Sequence, residues 1–163
     1  MVEFIEMQEN DILFLSELLN EPEIIASLHI TTANYDEWLE IYNNYWKQDP
    51  DEKHFIIYSD KNPVGWLKLN GLDGKEQAWI SELAVSSKAL RQGIGTSAIK
   101  FAEEYVISKG FTKMGLWAQE DNTAAQALYK KCGYEITLVK DDVFNDGIEG
   151  KSYRLEKILN TAV

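Results

Sequence analysis

The sequence has 163 residues, 45% apolar and 26% charged, and 16 Lys and Arg against 27 Asp and Glu give a formal net charge of −11. Length and composition predict a single globular domain over residues 1–163. With no basic cluster, binding to nucleic acid is excluded, and no apolar stretch approaches the roughly 20 residues of a membrane span. The acidity is compatible with cationic substrates, although it is also common in cytosolic proteins.

The N-terminus and the cysteine content predict a cytoplasmic protein without a metal site. The first six residues, Met-Val-Glu-Phe-Ile-Glu, lack the positive charge and the apolar run of a secretion signal. Cys132 is the single cysteine and cannot form an internal disulfide. With only His29 and His54 as further ligands, zinc binding is not expected.

Hydrophobic spacing in the first half predicts one strand, three helices and three strands. In order, these are a strand over 2–7, helices over 10–20, 22–28 and 34–49, and strands over 54–59, 64–69 and 78–85. Asn34 or Thr32 can cap the third helix and Pro50 ends it. The residues Asp60-Lys61-Asn62-Pro63 favour a turn between the next two strands.

The second half alternates strands and helices. It is predicted to contain a helix from Gly93 to about 109, a strand over 111–118, a helix over 122–132, and strands over 134–139 and 152–158. Gly110 and Gly133 stand where helices end in a residue tolerant of positive φ. The order of elements predicts an α/β domain with a mixed sheet.

The most informative segment is the turn between a strand and a helix at Gly93-Ile94-Gly95. Unpaired N–H groups of a first helical turn, together with the helix dipole, favour a phosphate or pyrophosphate. Arg91 and Gln92 add side-chain donors. The alternative is that the glycines only form a tight turn. A P-loop pattern is absent, and a dinucleotide-binding unit would need an acidic residue about 20 positions later, which this chain lacks.

A second motif follows the glycine turn. It contains Asn122, Ala125, Leu128-Tyr129 and Gly133-Tyr134. Together with Glu82-Leu83-Ala84-Val85 and Gln92-Gly93-Ile94-Gly95, it resembles the GNAT superfamily of acyl-CoA-dependent N-acyltransferases, in order over about residues 54–140. The resemblance implies a mixed, mostly antiparallel sheet flanked by helices, with a central splay between two parallel strands.

The resemblance also implies where acetyl-CoA binds. The expected pyrophosphate cradle is formed by Arg91, Gln92, Gly93, Ile94, Gly95 and Thr96. Backbone groups of Leu83 and Val85 would bind the pantetheine arm in the splay, and Asn122 would contact that arm or cap the following helix. The family usually has Arg or Gln at the position of Leu90, so Arg91 is expected to compensate.

Acetyl transfer to an amine needs a base for the ammonium proton, donors for an oxyanion, and an acid for the thiolate. Tyr129 matches the family's general-acid tyrosine; the alternative is packing against the next strand. Glu82 is the expected base, because it is a carboxylate within an apolar strand, although it could instead be an exposed or ion-paired residue. Cys132 ends a helix without a nearby His and is expected to be structural, which favours direct transfer.

The acceptor is predicted only as a class. It could be a small cationic metabolite or antibiotic, or a peptide amine, and a homodimer is compatible with the sequence. Aromatic and acidic residues over 36–46 could form a cation-binding wall, or the aromatic residues could simply pack in the core. Trp66, Trp79 and Trp117 are expected in the core. The alternative functions are a non-catalytic acyl-CoA-sensing module and, with less support, a dinucleotide-dependent oxidoreductase.

Overall fold

The computed structural model describes residues 1–74 and 76–159, whose strands form one seven-stranded mixed sheet in the order β1-β2-β3-β4-β5-β7-β6. The strands are β1 (Val2–Glu6), β2 (Lys53–Ser59), β3 (Asn62–Asn70), β4 (Ala78–Val85), β5 (Lys113–Gln119), β6 (Glu135–Val143) and β7 (Glu149–Ile158). The α-helices are α1 (Ile12–Leu18), α2 (Pro22–Leu28), α3 (Tyr35–Ile41), α4 (Ile94–Ser108) and α5 (Thr123–Lys131). Only β4 and β5 are parallel among these neighbouring pairs. The predicted α/β fold is therefore confirmed.

Two predicted helices are shorter than expected. The segment 10–20 begins with a 3₁₀ turn over Glu9–Asp11 before α1. The third helix is capped by Asn34, whose side chain accepts a hydrogen bond from the Glu37 N–H at 2.9 Å, but it ends in a π-helical turn at Trp46 instead of reaching 49. The Asp49 carboxylate accepts from the Asp51 N–H at 2.9 Å, which favours a turn over further helix.

The last hairpin is longer than predicted. β6 runs to Val143 and β7 starts at Glu149, so the turn is confined to 144–148 and is closed by a hydrogen bond from Phe144 N–H to Ile148 C=O at 2.9 Å. β6 forms the edge of the sheet and is exposed along almost its whole length. Without a buried face, its sequence lacks the alternation that marks a strand.

The core has two layers, one on each face of the sheet. On one face α4 packs through Ala98, Ile99 and Ala102, and α5 adds Tyr129. On the other face α1 packs through Leu15 and neighbouring apolar residues against the strand face that contains Trp66 and Ala84. Burying both faces covers the apolar area that holds the domain together.

A bulge in β4 positions the functional region. Lys68 of β3 lies opposite Glu82, whereas the next residue, Leu69, lies opposite Ile80, so Ser81 is an extra residue in β4. The parallel pairing with β5 covers only Ala78–Ile80 and stops at this residue. Because a bulge bends its strand and increases the local twist, it explains why β4 diverges from β5 here. This divergence is the central splay that the family resemblance implies.

Candidate active site

The backbone of Leu83 and Val85 faces the gap between β4 and β5. Ser86 N–H donates to Val64 C=O at 2.7 Å, which identifies the pair of residues 64 and 86 as one that exchanges hydrogen bonds across β3 and β4. In an antiparallel ladder such pairs alternate, so the residue pair 66 and 84 is of the same kind. The N–H and C=O groups of Leu83 and Val85 then point away from β3. Within residues 1–74 and 76–159 these groups have no partner on β5, so they are donors and acceptors along the splay.

The glycine turn leaves the start of α4 without a side-chain cap. Gly93 is the N-cap residue, with φ +73°, and a Cβ at this position would meet no atom within 4 Å. Glycine is therefore needed for its conformation and not for space. Arg91 also has a positive φ, +65°, which is strained for an arginine. Among the described residues, the N–H groups of residues 94–96 have no hydrogen-bond partner. This leaves three donors for an anion.

A cavity of about 370 Å³, here called the glycine-loop pocket, lies against these donors. Its walls come from α2, the end of β4, the turn before α4, the first turn of α4 and the facing side of α5. The lining includes every predicted cofactor residue except Gln92, namely Leu83, Val85, Arg91, Gly93, Ile94, Gly95, Thr96 and Asn122. Gln92 is exposed and lies outside this lining. Glycine is required at position 95 by close packing, because a Cβ there would come within 2.8 Å of the Leu128 side chain of α5.

The residues before the glycine turn are anchored by Glu21. Its carboxylate accepts hydrogen bonds from Ser86 Oγ at 2.8 Å, Ser87 N–H at 2.9 Å and Ser87 Oγ at 2.9 Å. Burial acts to raise the pKa of Glu21, but these bonds and Lys88 hold it below its ordinary value. The ionised carboxylate thus connects the segment before α2 with the turn that leads to Gly93.

Glu82 is enclosed beside the splay, and burial raises its pKa to about 7. Lys68, its cross-strand partner, acts in the opposite direction. Within residues 1–74 and 76–159, no hydrogen bond reaches the Glu82 carboxylate. Ala84 packs in the α1 layer, while Leu83 and Val85 pack toward α4, so the side chains of β4 alternate between the two layers here. A carboxylate that titrates near neutral pH can act as a base.

Tyr129 lies on α5 and is 7% exposed. Burial raises the pKa of its phenol well above the ordinary value, and the negative charge of Glu82 raises it further. The hydroxyl is therefore protonated at any physiological pH. Its ring also contacts Tyr134 edge-on, with centroids 6.3 Å apart, so the packing interpretation and the acid interpretation hold together.

A smaller cavity of about 150 Å³, the splay pocket, contains both groups. Glu82 and Tyr129 line it together with Ser81, Trp117 and Asn145. The splay pocket adjoins the glycine-loop pocket, since Tyr129 and four neighbours line both; the four are Leu28, Leu83, Asn122 and Ala125. The predicted acid and base therefore share one cavity, and the predicted phosphate donors lie along the adjoining one.

Asn122 caps α5, because its Oδ1 accepts from the Ala125 N–H at 3.2 Å. This confirms the capping prediction, and the residue also lines both pockets. Cys132 lies at the other end of α5, half-buried, and burial raises the pKa of its thiol. A thiol in this state is a poor nucleophile.

The aromatic residues over 38–46 do not line the splay pocket, and they differ in burial, since Trp38 and Trp46 are partly buried whereas Tyr45 is 69% exposed. Tyr42 is buried, and Trp46 stacks on His54 with ring centroids 4.4 Å apart. Trp66 is buried as predicted and Trp79 is partly buried. The prediction that Trp117 is a core residue is wrong, since 41% of it is exposed and the Lys140 ammonium lies 4.7 Å from its ring centroid. Trp117 lies past the point where β4 leaves β5, so among the described strands it is paired on one side only, with Arg154 of β7.

Comparison with known proteins agrees with this geometry. A family model described as the Acetyltransferase (GNAT) family matches residues 14–134. The chain belongs to this family. The match begins in α1 and ends just after α5, so it includes the splayed strands, the glycine turn and Tyr129.

Relatives of this GNAT protein differ in length. Probable N-acetyltransferase 14 of Xenopus tropicalis is 30% identical over 81 residues, which cover 50% of this chain and 39% of the relative. Streptothricin acetyltransferase of Escherichia coli is 26% identical over 107 residues, covering 66% of this chain and 61% of the relative. The chain thus matches less than two thirds of the length of either.

The fold is shared with a solved structure. Spermidine N-acetyltransferase from Vibrio cholerae, crystallised with CoA and spermine, superposes with a TM-score of 0.85 at 20% identity over 98% of this chain and 96% of that one. This likeness establishes the GNAT fold. No helix in the described part of the chain has the length and apolarity to cross a membrane.

Several residues at the site escape prediction from the sequence. Leu28 and Asn145 line the splay pocket from α2 and from the β6–β7 turn. The turn itself is recognisable from its polar and glycine residues, but nothing in the sequence connects it to the strand that carries Glu82. Ser81 carried no signal either, because a bulge depends on the pairing of two strands.

Proposed function

We propose that this protein transfers the acetyl group of acetyl-CoA directly to a primary amine. The observation that carries the proposal is the adjoining pair of pockets, one beside free backbone donors and the other lined by Glu82 and Tyr129. In this proposal, a thioester delivered along the splay meets the amine beside these two groups. A domain that only senses acyl-CoA has no need for an acid and a base in the same cavity.

The donor substrate fits the unpaired backbone groups. The N–H groups of residues 94–96 are suited to the pyrophosphate, with Arg91 and Thr96 at the same rim. The pantetheine amides match the outward-facing backbone of Leu83 and Val85, which would hold the arm as an added strand. Leu90 lines the same pocket but offers no hydrogen bond, so its contribution is apolar contact.

The chemistry needs three proton transfers: one from the ammonium, one to the thiolate and one from the nitrogen of the new amide. The acceptor arrives as an ammonium and loses a proton to Glu82, directly or through water. The free amine then attacks the thioester carbonyl, and backbone N–H groups of β4 stabilise the oxyanion. As the carbon–sulfur bond breaks, the thiolate takes the Tyr129 proton, and the nitrogen of the new amide gives up its second proton through water to the Tyr129 phenolate. Glu82 then returns its proton to solvent, so the products are an N-acetyl amine and CoA with a free thiol. Cys132 forms no acyl intermediate in this scheme.

The protonation state of Glu82 affects the acidity of Tyr129 in a way that favours the reaction. The charge of ionised Glu82 raises the pKa of the Tyr129 phenol. Once Glu82 has accepted the proton of the amine, that charge is gone and the phenol becomes a stronger acid. The acid therefore becomes stronger after the base has acted, just before the thiolate leaves.

The acceptor is proposed to be a small cationic metabolite or antibiotic, or a peptide amine. The net charge of −11 and the Glu82 carboxylate favour a cation. The relatives named for streptothricin and spermidine support small amines as the first compounds to test. We further propose a cytoplasmic location, where acetyl-CoA would be available and Cys132 would stay reduced.

The test is CoA release from acetyl-CoA, measured with a thiol reagent against polyamines, aminoglycosides, streptothricin and short peptides. Mass spectrometry identifies the acetylated product, and the Cys132→Ala variant is the control for direct transfer. We expect amine-dependent release at equal rates in wild type and Cys132→Ala. Binding of acetyl-CoA without turnover of any amine would instead favour the sensing module.

A further inference from the structure

His29 lies between three segments that are distant in sequence. It ends α2 in a left-handed conformation, with φ +50°, and is only 4% exposed. Its ring packs on Phe144 of the last hairpin, with centroids 4.3 Å apart. Positive φ and the burial of a polar ring both cost free energy, so contacts with the surrounding residues must stabilise His29 in this position.

Both ring nitrogens of His29 contact carboxylates. Nδ1 lies 2.7 Å from Asp146 Oδ2, and Nε2 lies 2.9 Å from Asp121 Oδ2. A neutral imidazole has one N–H and can donate to only one of them, whereas the imidazolium donates to both. Burial acts to lower the pKa of His29, but the bonds and charges of Asp146 and Asp121 raise it above its ordinary value. The same contact lowers the pKa of Asp146.

His29, Asp121 and Asp146 form a cluster, and each of them is adjacent in sequence to a residue of the splay pocket. Leu28, Asn122 and Asn145 all line that cavity, and they precede or follow His29, Asp121 and Asp146 by one position. The cluster thus connects the end of α2, the loop before α5 and the β6–β7 turn. A second bond, from Asn122 Nδ2 to Ser27 C=O at 3.4 Å, joins two of the same segments.

We propose that His29 is a positioning residue which, as an imidazolium bridging Asp121 and Asp146, holds together the walls of the splay pocket that receive the amine. This inference rests on the proposed function. Loss of its proton removes one of the two bonds and loosens Asn145 or Asn122 relative to α2. The donor side is affected less, because the free N–H groups lie on α4 and the pantetheine-facing backbone lies on β4.

The protonation state can be measured without any assay of activity. The chain has two histidines, and burial lowers the pKa of His54 to about 4, so NMR titration of the imidazole signals separates them. We expect the His29 signal to titrate above about 6.5, the ordinary value. Asp146→Asn and Asp121→Asn should each move it downward. A His29 signal that titrates at or below the ordinary value would overturn the proposal. This result would count even if the protein acetylated none of the tested amines.

Steady-state kinetics tests the positioning role. His29→Asn is the first variant, because asparagine tolerates a positive φ but cannot reach both carboxylates. We expect the KM for the amine to rise about tenfold, with kcat and the Kd of acetyl-CoA changed less than about threefold. In wild type the KM for the amine should increase as the pH is raised past the pKa of His29. This pH dependence of KM should disappear in His29→Asn.

A matched control is Asp141→Asn on the same hairpin, whose exposed carboxylate pairs with Lys151 at 2.8 Å and lies outside the cluster. It should leave the amine KM unchanged. If His29→Asn does not fold, Asp146→Asn tests the same role, because it keeps His29 and removes the charge of one of its two carboxylate partners. An unchanged amine KM in folded Asp146→Asn, or an equal loss of acetyl-CoA affinity, would refute the positioning role.

Discussion

The pH dependence of turnover tests the role of Glu82 most directly. Because burial raises the pKa of Glu82 to about 7, about half of the carboxyl is ionised at pH 7 and about one tenth at pH 6. If Glu82 is the base, kcat/KM should fall about tenfold for each pH unit below 7. Glu82→Gln keeps the size of the side chain but cannot accept a proton. It should lower kcat/KM by about 10²–10⁴ and remove this acidic limb.

Lys68 supplies a second, graded perturbation. It lies opposite Glu82 on β3, and its Nζ is 3.2 Å from Glu52 Oε1 and 5.5 Å from the centroid of the Trp46 ring. Since its charge lowers the pKa of Glu82, Lys68→Met should move the acidic limb to higher pH. Lys68→Arg retains the charge and is the matched control, with an unmoved limb expected.

The assay is initial-rate CoA release between pH 5 and 9, with thermal unfolding recorded on the same proteins between pH 4.5 and 9. A carboxyl with a raised folded-state pKa favours the protonated protein, so its contribution to stability is present below about pH 4.5 and is lost as the pH rises through about 7. Glu82→Gln should therefore unfold at a higher temperature than wild type above pH 7 and at a similar one near pH 4.5. An acidic limb that persists in Glu82→Gln would refute the assignment of the base.

Variants at three further positions test other parts of the site. Tyr129→Phe should reduce kcat by about 10²–10⁴ and leave the Kd of acetyl-CoA, measured by calorimetry, unchanged; normal turnover would remove the assignment of the acid. Gly93→Asp places a negative charge beside the free donors and should weaken binding of CoA about 100-fold, whereas Gly93→Asn, which matches its size and its tolerance of positive φ, should bind within about tenfold of wild type. Equal binding by both variants would contradict the pyrophosphate model. Glu21→Gln should lower the free energy of unfolding by about 1–2 kcal/mol and weaken binding of CoA, as read from denaturant titration and calorimetry, because it weakens the bonds to Ser86 and Ser87. Unaltered stability would show that these bonds do not order the turn.

The sequence determined the elements whose signals are local. The apolar strand that ends at Val85, the two glycines after it and the periodic face of α4 place a strand, a turn and a helix N-terminus in that order. Asn34 and Asn122 could be identified as caps because a cap acts within three residues of itself. The candidate acid and base were likewise chosen from residue chemistry and motif spacing. These properties depend on a few neighbouring residues, so one chain suffices to predict them.

The tertiary structure alone decided how these pieces meet. The bulge at Ser81 arises from the pairing of β3 with β4, and it determines where β4 leaves β5. The pKa of Glu82 depends on enclosure by segments far away in the chain. His29 meets Asp121 and Asp146 across separations of 92 and 117 residues. Burial, pairing register and long-range contacts are sums over the whole fold, and no local pattern of residues encodes them.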